Sequence, residues 1–205
     1  MKKIIPLLAA MSVVVAITTG CAVVGKQESA TLYDLGPLRA KQANQAGTLP
    51  ALPPISIADI GTPAWLDSRA IYFRLNYANE QQPRPYAESR WTMTPAQLLS
   101  QHLKSRIAYA GGVALSTSDG ALDVPVLRID ADDFTQNFDA PGQSNGQVDL
   151  RASVFKGRKL VAQKTFVRQA PAPSADAAGG TKALAAASDA VLADLIAWLG
   201  TLDLK

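Results

Sequence analysis

The chain has 205 residues, 48% of them hydrophobic, and a formal net charge of +3. Without the first 20 residues, which include two lysines, 18 basic side chains face 17 acidic ones. Because the chain is nearly neutral, it has no electrostatic attraction to nucleic acid, which excludes nucleic-acid binding as its function. The remaining 185 residues fit a single domain with a short tether, and a domain of that size buries enough surface for a real core.

The first 20 residues have the layout of a secretory signal peptide. Lys2 and Lys3 form a basic start, residues 4–17 are largely apolar, and Thr18-Thr19-Gly20 ends the segment with small residues. The apolar stretch is too short for a spanning helix and has the wrong flanks. We therefore predict a signal peptide over residues 1–20.

Cys21, the only cysteine, directly follows this segment. Thr19-Gly20-Cys21 resembles the lipobox of bacterial lipoproteins, although Thr18 stands where leucine is usual. The resemblance implies that Cys21 is lipidated, and at ~0.8 kcal/mol per buried methylene several acyl chains hold a protein on a bilayer essentially permanently. Ala22, where inner-membrane lipoproteins commonly carry aspartate, implies the outer membrane, facing the periplasm. The alternative is a cysteine that only packs in the core.

Loss of the sole thiol to lipid leaves no disulfide, so the core alone must hold the fold. We assign residues 21–30 to the lipidated N-terminus and tether and residues 31–205 to one domain. Thr31–Leu35 is predicted as the first strand, and residues 39–54, rich in Ala, Gln, Gly and Pro, as a loop.

Two further strands are predicted before the first long helix. Ile55–Ile60 alternates apolar with polar or small residues, and Ala70–Leu75 is rich in aromatic and β-branched residues. Residues 63–67 between them are predicted as a tight turn.

A capping box marks the start of this helix, with Thr94 as N-cap, Pro95 at N1 and Gln97 at N3. Apolar residues then recur at helical spacing at Leu99, Leu103, Ile107 and Ala110. We expect Gly111-Gly112 to end the helix.

A run of strands follows. Residues 126–138 predict one long strand with a bulge near Asp132-Asp133, where the alternation slips. Ser144-Asn145-Gly146 is predicted as a turn, and residues 148–154 alternate as the next strand. Residues 156–159 are typical of a hairpin turn.

The return strand is predicted over residues 160–168, and residues 171–180 as a mobile, low-complexity loop. A final amphipathic helix carries the stripe Leu184, Ser188, Val191, Leu192, Leu195, Ile196 and Leu199. This order of elements predicts an α+β fold, in which two main helices cover one face of a largely antiparallel sheet.

The sequence contains little that indicates catalysis. His102, the only histidine, has no nucleophile motif near it and is interpreted as a helix-surface or boundary residue. One histidine and an acylated cysteine cannot make a zinc site, so we expect no metal and no other cofactor. The acidic residues Asp130, Asp132, Asp133 and Asp139 are interpreted as a solvated strand face rather than paired catalytic carboxylates. Gly179-Gly180 is interpreted as helix punctuation rather than a phosphate loop. No catalytic residue is assigned, and we do not expect an enzyme.

The stretch from Tyr86 to Pro95, with Trp91 near its end, is distinctive. Together with Tyr33-Asp34-Leu35, residues 66–74 and Leu195–Leu199, it resembles the ABC-type transport auxiliary lipoproteins. These are outer-membrane partners of MCE-domain lipid transporters. The resemblance implies a non-catalytic accessory of an intermembrane lipid transport system that docks the periplasmic MCE-domain protein at the outer membrane. The oligomeric state stays open, and a homo-oligomer is one option.

Tyr86, Arg90 and Trp91 are candidate docking residues, because Trp, Tyr and Arg are favoured as interface anchors. For Trp91 we favour the alternative that it packs in the core beneath the first helix. Arg90, on the opposite side of an extended segment, is the better surface candidate. A different function, a structural lipoprotein that binds cell wall or another envelope assembly, also fits the sequence.

Overall fold

The computed structural model describes residues 29–37 and 52–204. The predictions for the signal peptide, for Cys21 and most of the tether, and for most of the loop at residues 39–54 lie outside the described residues. The strands are β1 (Thr31–Tyr33), β2 (Ile55–Ile57), β3 (Ala70–Leu75), β4 (Glu80–Trp91), β5 (Ala114–Ser116), β6 (Val126–Ala140), β7 (Gln143–Lys156) and β8 (Lys159–Pro171). The helices are α1 (Asn76–Asn79), α2 (Pro95–Tyr109) and α3 (Ala177–Leu199), with a 3₁₀ turn at Thr117–Asp119.

All eight strands form one sheet that is organised around β6. One edge of β6 pairs with β2 near its start and with β3 near its end, and the other edge pairs with β7 along its length. Beyond these, β4 and β1 follow β3, β5 follows β2, and β8 follows β7. On one edge of β6 the sheet therefore divides into two branches, β3–β4–β1 and β2–β5.

The predicted α+β class, with the long helices on one face, is confirmed. The sheet is mixed rather than largely antiparallel, because four of the seven strand pairings among the described residues are parallel. The antiparallel pairings join β3 to β4, β6 to β7 and β7 to β8. Hairpins leave turn signals in a sequence, whereas parallel neighbours are joined by long crossovers that leave none.

The core lies between this sheet and helices α2 and α3. The predicted start of α2 is confirmed, since the Gln97 amide donates to Thr94 Oγ1 and the Thr94 amide donates to Gln97 Oε1. Its predicted end is confirmed as well, where Gly111 takes a φ of 79°. Arg106 of α2, itself buried, forms an ion pair with Asp189 of α3 and so joins the two helices.

The bulge predicted in β6 is confirmed as a register shift between Ala131 and Asp133. The turn predicted at residues 144–146 is wrong, because the β6–β7 connection turns at Gly142, with a φ of 78°. Gly146 lies inside β7, where the backbone of α3 approaches so closely that a Cβ would sit 2.5 Å from the Leu184 nitrogen. This glycine therefore serves packing, not turning.

The loop predicted at residues 171–180 is too long, because α3 already begins at Ala177 behind the N-cap Asp176. Gly179-Gly180 is not helix punctuation but part of the first turn, where a Cβ on Gly180 would lie 2.0 Å from Gln136 Oε1. The apolar stripe predicted for this helix is buried, as expected.

The remaining predictions differ mainly in extent. The turn at residues 63–67 and the hairpin turn at residues 156–159 are confirmed, and β8 runs on to Pro171. Strands β1 and β2 are shorter than predicted, and the sequence analysis did not predict β5 or assign β4 to the sheet. Within the described residues, no helix is long and apolar enough to cross a bilayer.

We predict that Gly146→Ala destabilises the protein by about 1–3 kcal/mol, the usual cost of overpacking, because the new methyl group meets the α3 backbone. Adding Ala183→Gly should not rescue it, since the Leu184 nitrogen and the Ala183 carbonyl carbon would still block the methyl group. Denaturant unfolding measures both variants. An unchanged midpoint for Gly146→Ala would show that α3 does not lie this close to β7.

Candidate docking site

The three candidate docking residues lie on β4, at an irregular stretch of its pairing with β3. Ala70 pairs with Arg90 and Tyr72 with Pro85, so two steps along β3 span five along β4. Tyr86 and Trp91 are five positions apart, which in a regular strand would put them on opposite faces of the sheet. The extra residues of β4 bring them to the same face. That face is the one covered by the helices.

Trp91 is fully buried in the core. Its ring meets that of Phe134 on β6 edge-on, with ring centroids 5.5 Å apart, and its backbone amide donates to the Arg69 carbonyl at 2.7 Å. This matches the favoured interpretation of Trp91 as a core residue beneath α2. An aromatic pair of this kind contributes about 0.5–1.5 kcal/mol beyond its buried area.

Tyr86 is half-buried and directs its hydroxyl inward. The hydroxyl donates to Gln136 Oε1 at 2.8 Å, and Gln136 Nε2 in turn donates to Ser144 Oγ at 2.8 Å. Burial, with a smaller contribution from the Asp176 carboxylate, raises the pKa of Tyr86 to about 12. The polar end of this side chain is therefore engaged inside the protein.

Arg90 neighbours Trp91 in the strand, so its side chain leaves the opposite, helix-free face of the sheet. Its guanidinium donates back to the carbonyls of Tyr86 and, at 2.8 Å, of Ser89. These bonds satisfy carbonyl groups in the irregular stretch of β4. Arg90 remains half-buried rather than fully extended into solvent.

Leu32 of β1 pairs with Arg90 in parallel register, which places the two side chains side by side on the same face. Leu32 is 57% exposed, so the patch presents an apolar side chain to solvent. No pattern in the sequence links Leu32 to Arg90, because only the pairing of β1 with β4 brings the two together. We call Leu32 and Arg90 the docking patch.

His102 is a residue of α2 and faces α3 and the segment after β1. It lines a cleft of about 450 Å³ together with Asp34, Lys182 and Asp189. Its Nδ1 has no hydrogen-bond partner among the described residues, and burial lowers the pKa of its imidazole. In the part of the chain that the structure describes, no group of three or more His, Cys, Asp or Glu residues could hold a metal ion.

The acidic residues of β6 do not converge on a site. Asp130 and Asp132, each about half exposed, both pair with Arg151. Asp133 accepts from Thr135 Oγ1 at 2.8 Å, and burial raises the pKa of its carboxyl group. Asp139 accepts from two asparagine side chains at the far end of the strand. For Asp130 and Asp132, exposure fits the solvated strand face expected from the sequence.

The chain belongs to the family described as the ABC-type transport auxiliary lipoprotein component, whose model matches residues 33–197. The match covers nearly the whole described domain, including β4, the docking patch residue Arg90 and most of α3. The family places this chain among lipid-anchored envelope proteins that assist an ABC-type transporter.

Solved structures share the fold. The protein XCC0632 from Xanthomonas campestris, of the family DUF330, is 20% identical with a TM-score of 0.64 over 74% of this chain and 86% of that one. An uncharacterized protein is 14% identical with a TM-score of 0.61 over 82% of this chain and 97% of that one. The hypothetical protein CT253 from Chlamydia trachomatis is 7% identical with a TM-score of 0.51, covering 74% and 98%. No curated protein matches the chain.

The raised pKa of Tyr86 predicts a loss of stability in alkali. Above pH 10 the native state keeps the phenolic proton of Tyr86, whereas the unfolded state releases it. The contribution of the protonated hydroxyl to the free energy of unfolding is therefore complete below pH 10 and falls as the pH rises toward 12. Tyr86→Phe should lose stability less steeply over this range, whereas Tyr109→Phe, at a position 60% exposed, should behave like wild type. Denaturant unfolding between pH 9 and about 12 tests this; identical slopes for all three proteins would contradict it.

Proposed function

We propose that this protein is a non-catalytic docking component of an MCE/ABC-type intermembrane lipid transport system. Lipid on Cys21 ties it to the periplasmic face of the outer membrane, where its domain binds the periplasmic MCE-domain protein. The observation that carries the proposal is the family match over residues 33–197, which begins shortly after a cysteine of lipobox type.

The surface proposed for docking is the docking patch. Trp91 and the Tyr86 hydroxyl are engaged inside the domain, which leaves the half-buried Arg90, with Leu32 beside it, as the residue of the predicted set that a partner could reach from the opposite face. An exposed leucine next to a guanidinium offers apolar area and hydrogen-bond donors together, a combination that suits the core of an interface. The patch spans β1 and β4, and β1 is the edge strand that directly follows the tether.

Lipidation is tested with Cys21→Ser in the full chain. We expect the wild type to incorporate radiolabelled palmitate and to sediment with outer membranes, and the variant to lose both properties. A wild-type chain with a free thiol, recovered outside the membrane fraction, would contradict the anchor.

Docking is tested by copurification of the MCE-domain protein with the full-length chain. Leu32→Glu should reduce recovery at least about tenfold, because a charge then replaces a buried apolar contact at a cost above about 1.4 kcal/mol. Its effect on folding should stay within about 0.5 kcal/mol, as expected of a surface position. Arg90→Ala should weaken recovery as well.

Leu122→Glu is the matched control, since this leucine is 86% exposed and lies outside the docking patch. If folded Leu32→Glu and Arg90→Ala both recover the MCE-domain protein at the level of this control, the docking patch is not the interface. Recovery of peptidoglycan in place of an MCE-domain protein would instead favour the structural envelope lipoprotein.

A further inference from the structure

Strand β8 is a long, open edge of the sheet. It pairs with β7 on one side only and extends over 13 residues, whereas the other edge strands, β1 and β5, have three residues each. An open edge presents unpaired backbone groups to any extended chain that meets it. Short strands, or lysine and proline on the edge, are the usual protection against such pairing; β8 is not short, although it carries two lysines and ends at Pro171.

The register shows which backbone groups of β8 are free. The Ala172 amide donates to the Ser144 carbonyl at 2.9 Å, and the ladder runs without a shift from Asn145 to Val154. Hydrogen-bonded pairs alternate in an antiparallel ladder, so even-numbered residues of β8 bond to β7. The amides and carbonyls of the odd-numbered residues Gln163, Thr165, Val167 and Gln169 therefore point outward. Pro171, which has no amide proton, ends this row.

A groove runs beside the open edge. The even-numbered side chains Lys164, Phe166 and Arg168 face α3, and with the end of that helix they line a cavity of about 540 Å³. Trp198 forms its apolar wall and meets the Phe166 ring edge-on, with ring centroids 5.6 Å apart. An edge strand beside a helix, with an apolar groove between them, is the arrangement by which some domains bind an extended peptide as an added strand.

The charge of the edge indicates what it binds. Within β8 there are three cations, Lys159, Lys164 and Arg168, and no acidic residue. Asp194 already neutralises Arg168 at 2.5 Å, whereas the Lys164 ammonium lies over the Phe166 ring, 5.2 Å from its centroid, with no ion pair among the described residues. A second copy of β8 would bring further cations to this edge and be repelled by them. An acidic segment is therefore a better partner for the edge than a second copy of the chain.

We propose that the β8 edge binds an extended segment of another protein in which every second side chain, on the side that faces α3, is acidic or apolar. Its backbone pairs with Thr165 and Val167, its apolar side chains enter the groove beside Trp198, and its acidic side chains approach Lys164. This surface lies on the edge of the sheet opposite β1, so it does not depend on the docking patch or on the partner proposed there.

The test uses the full-length lipidated protein in detergent micelles and a short fluorescein-labelled peptide with threonine at every second position and glutamate and valine in turn at the positions between, so that both lie on one face. Fluorescence anisotropy should show saturable binding. Val167→Pro removes one outward amide without touching the β7 ladder and should weaken binding about tenfold, since it leaves a peptide carbonyl unpaired. Val167→Thr keeps the amide and should bind like wild type.

Lys164→Glu keeps the proposal testable should Val167→Pro fail to fold. This variant should bind the glutamate peptide more weakly and gain affinity for a matched peptide in which lysine replaces each glutamate. Equal binding of the two peptides by wild type, absence of saturable binding, or full binding by folded Val167→Pro would overturn the proposal. A dimer crosslinked through Thr165 would also overturn it, by showing that a second copy covers this edge.

Discussion

Strand β6 is the constraint on which the rest of the structure depends. It is the one described strand that pairs with three others, because β2 and β3 share one of its edges and β7 occupies the other. Its inward face carries Phe134, against which Trp91 of β4 packs, and Gln136, against which α3 packs through Gly180. Strand β6 therefore positions β4, α3 and both branches of the sheet.

The second half of β6 is polar yet buried. Thr135, Gln136 and Asn137 are at most 5% exposed, and each finds a hydrogen-bond partner. A slip of one residue would move all three to the wrong face and leave buried polar groups without partners, at a cost of about 1–3 kcal/mol each. These residues thus add less to the hydrophobic driving force than to the uniqueness of the register, which in turn positions Tyr86 and the irregular stretch of β4.

The two surfaces that we connect with function lie at opposite edges of the same sheet. The docking patch is on β1 and its neighbour β4, and the open edge with its basic groove is on β8. Their separation allows a chain held at a membrane on one side to engage a second protein on the other.

The sequence by itself determined the features that depend on near neighbours in the chain. The capping box of α2, the bulge in β6 and the hairpin turn before β8 are set by residues within a few positions of one another. The signal-peptide layout and the motif around Trp91 are likewise local, and they were enough to indicate the family. The glycines gave wrong predictions of turns and helix ends. Gly146, Gly179 and Gly180 instead allow close packing of neighbouring atoms.

Tertiary structure alone decided which distant segments meet. The parallel pairing of β1 with β4 brings Leu32 to Arg90. The order of strands along the chain suggests successive antiparallel hairpins, but the branching at β6 makes the sheet mixed. The open edge of β8 and its groove with Trp198 also exist only once α3 has packed. Local patterns encode the face that a residue prefers to bury, but the partner of that face is selected by packing over the whole chain, which no short window of sequence contains.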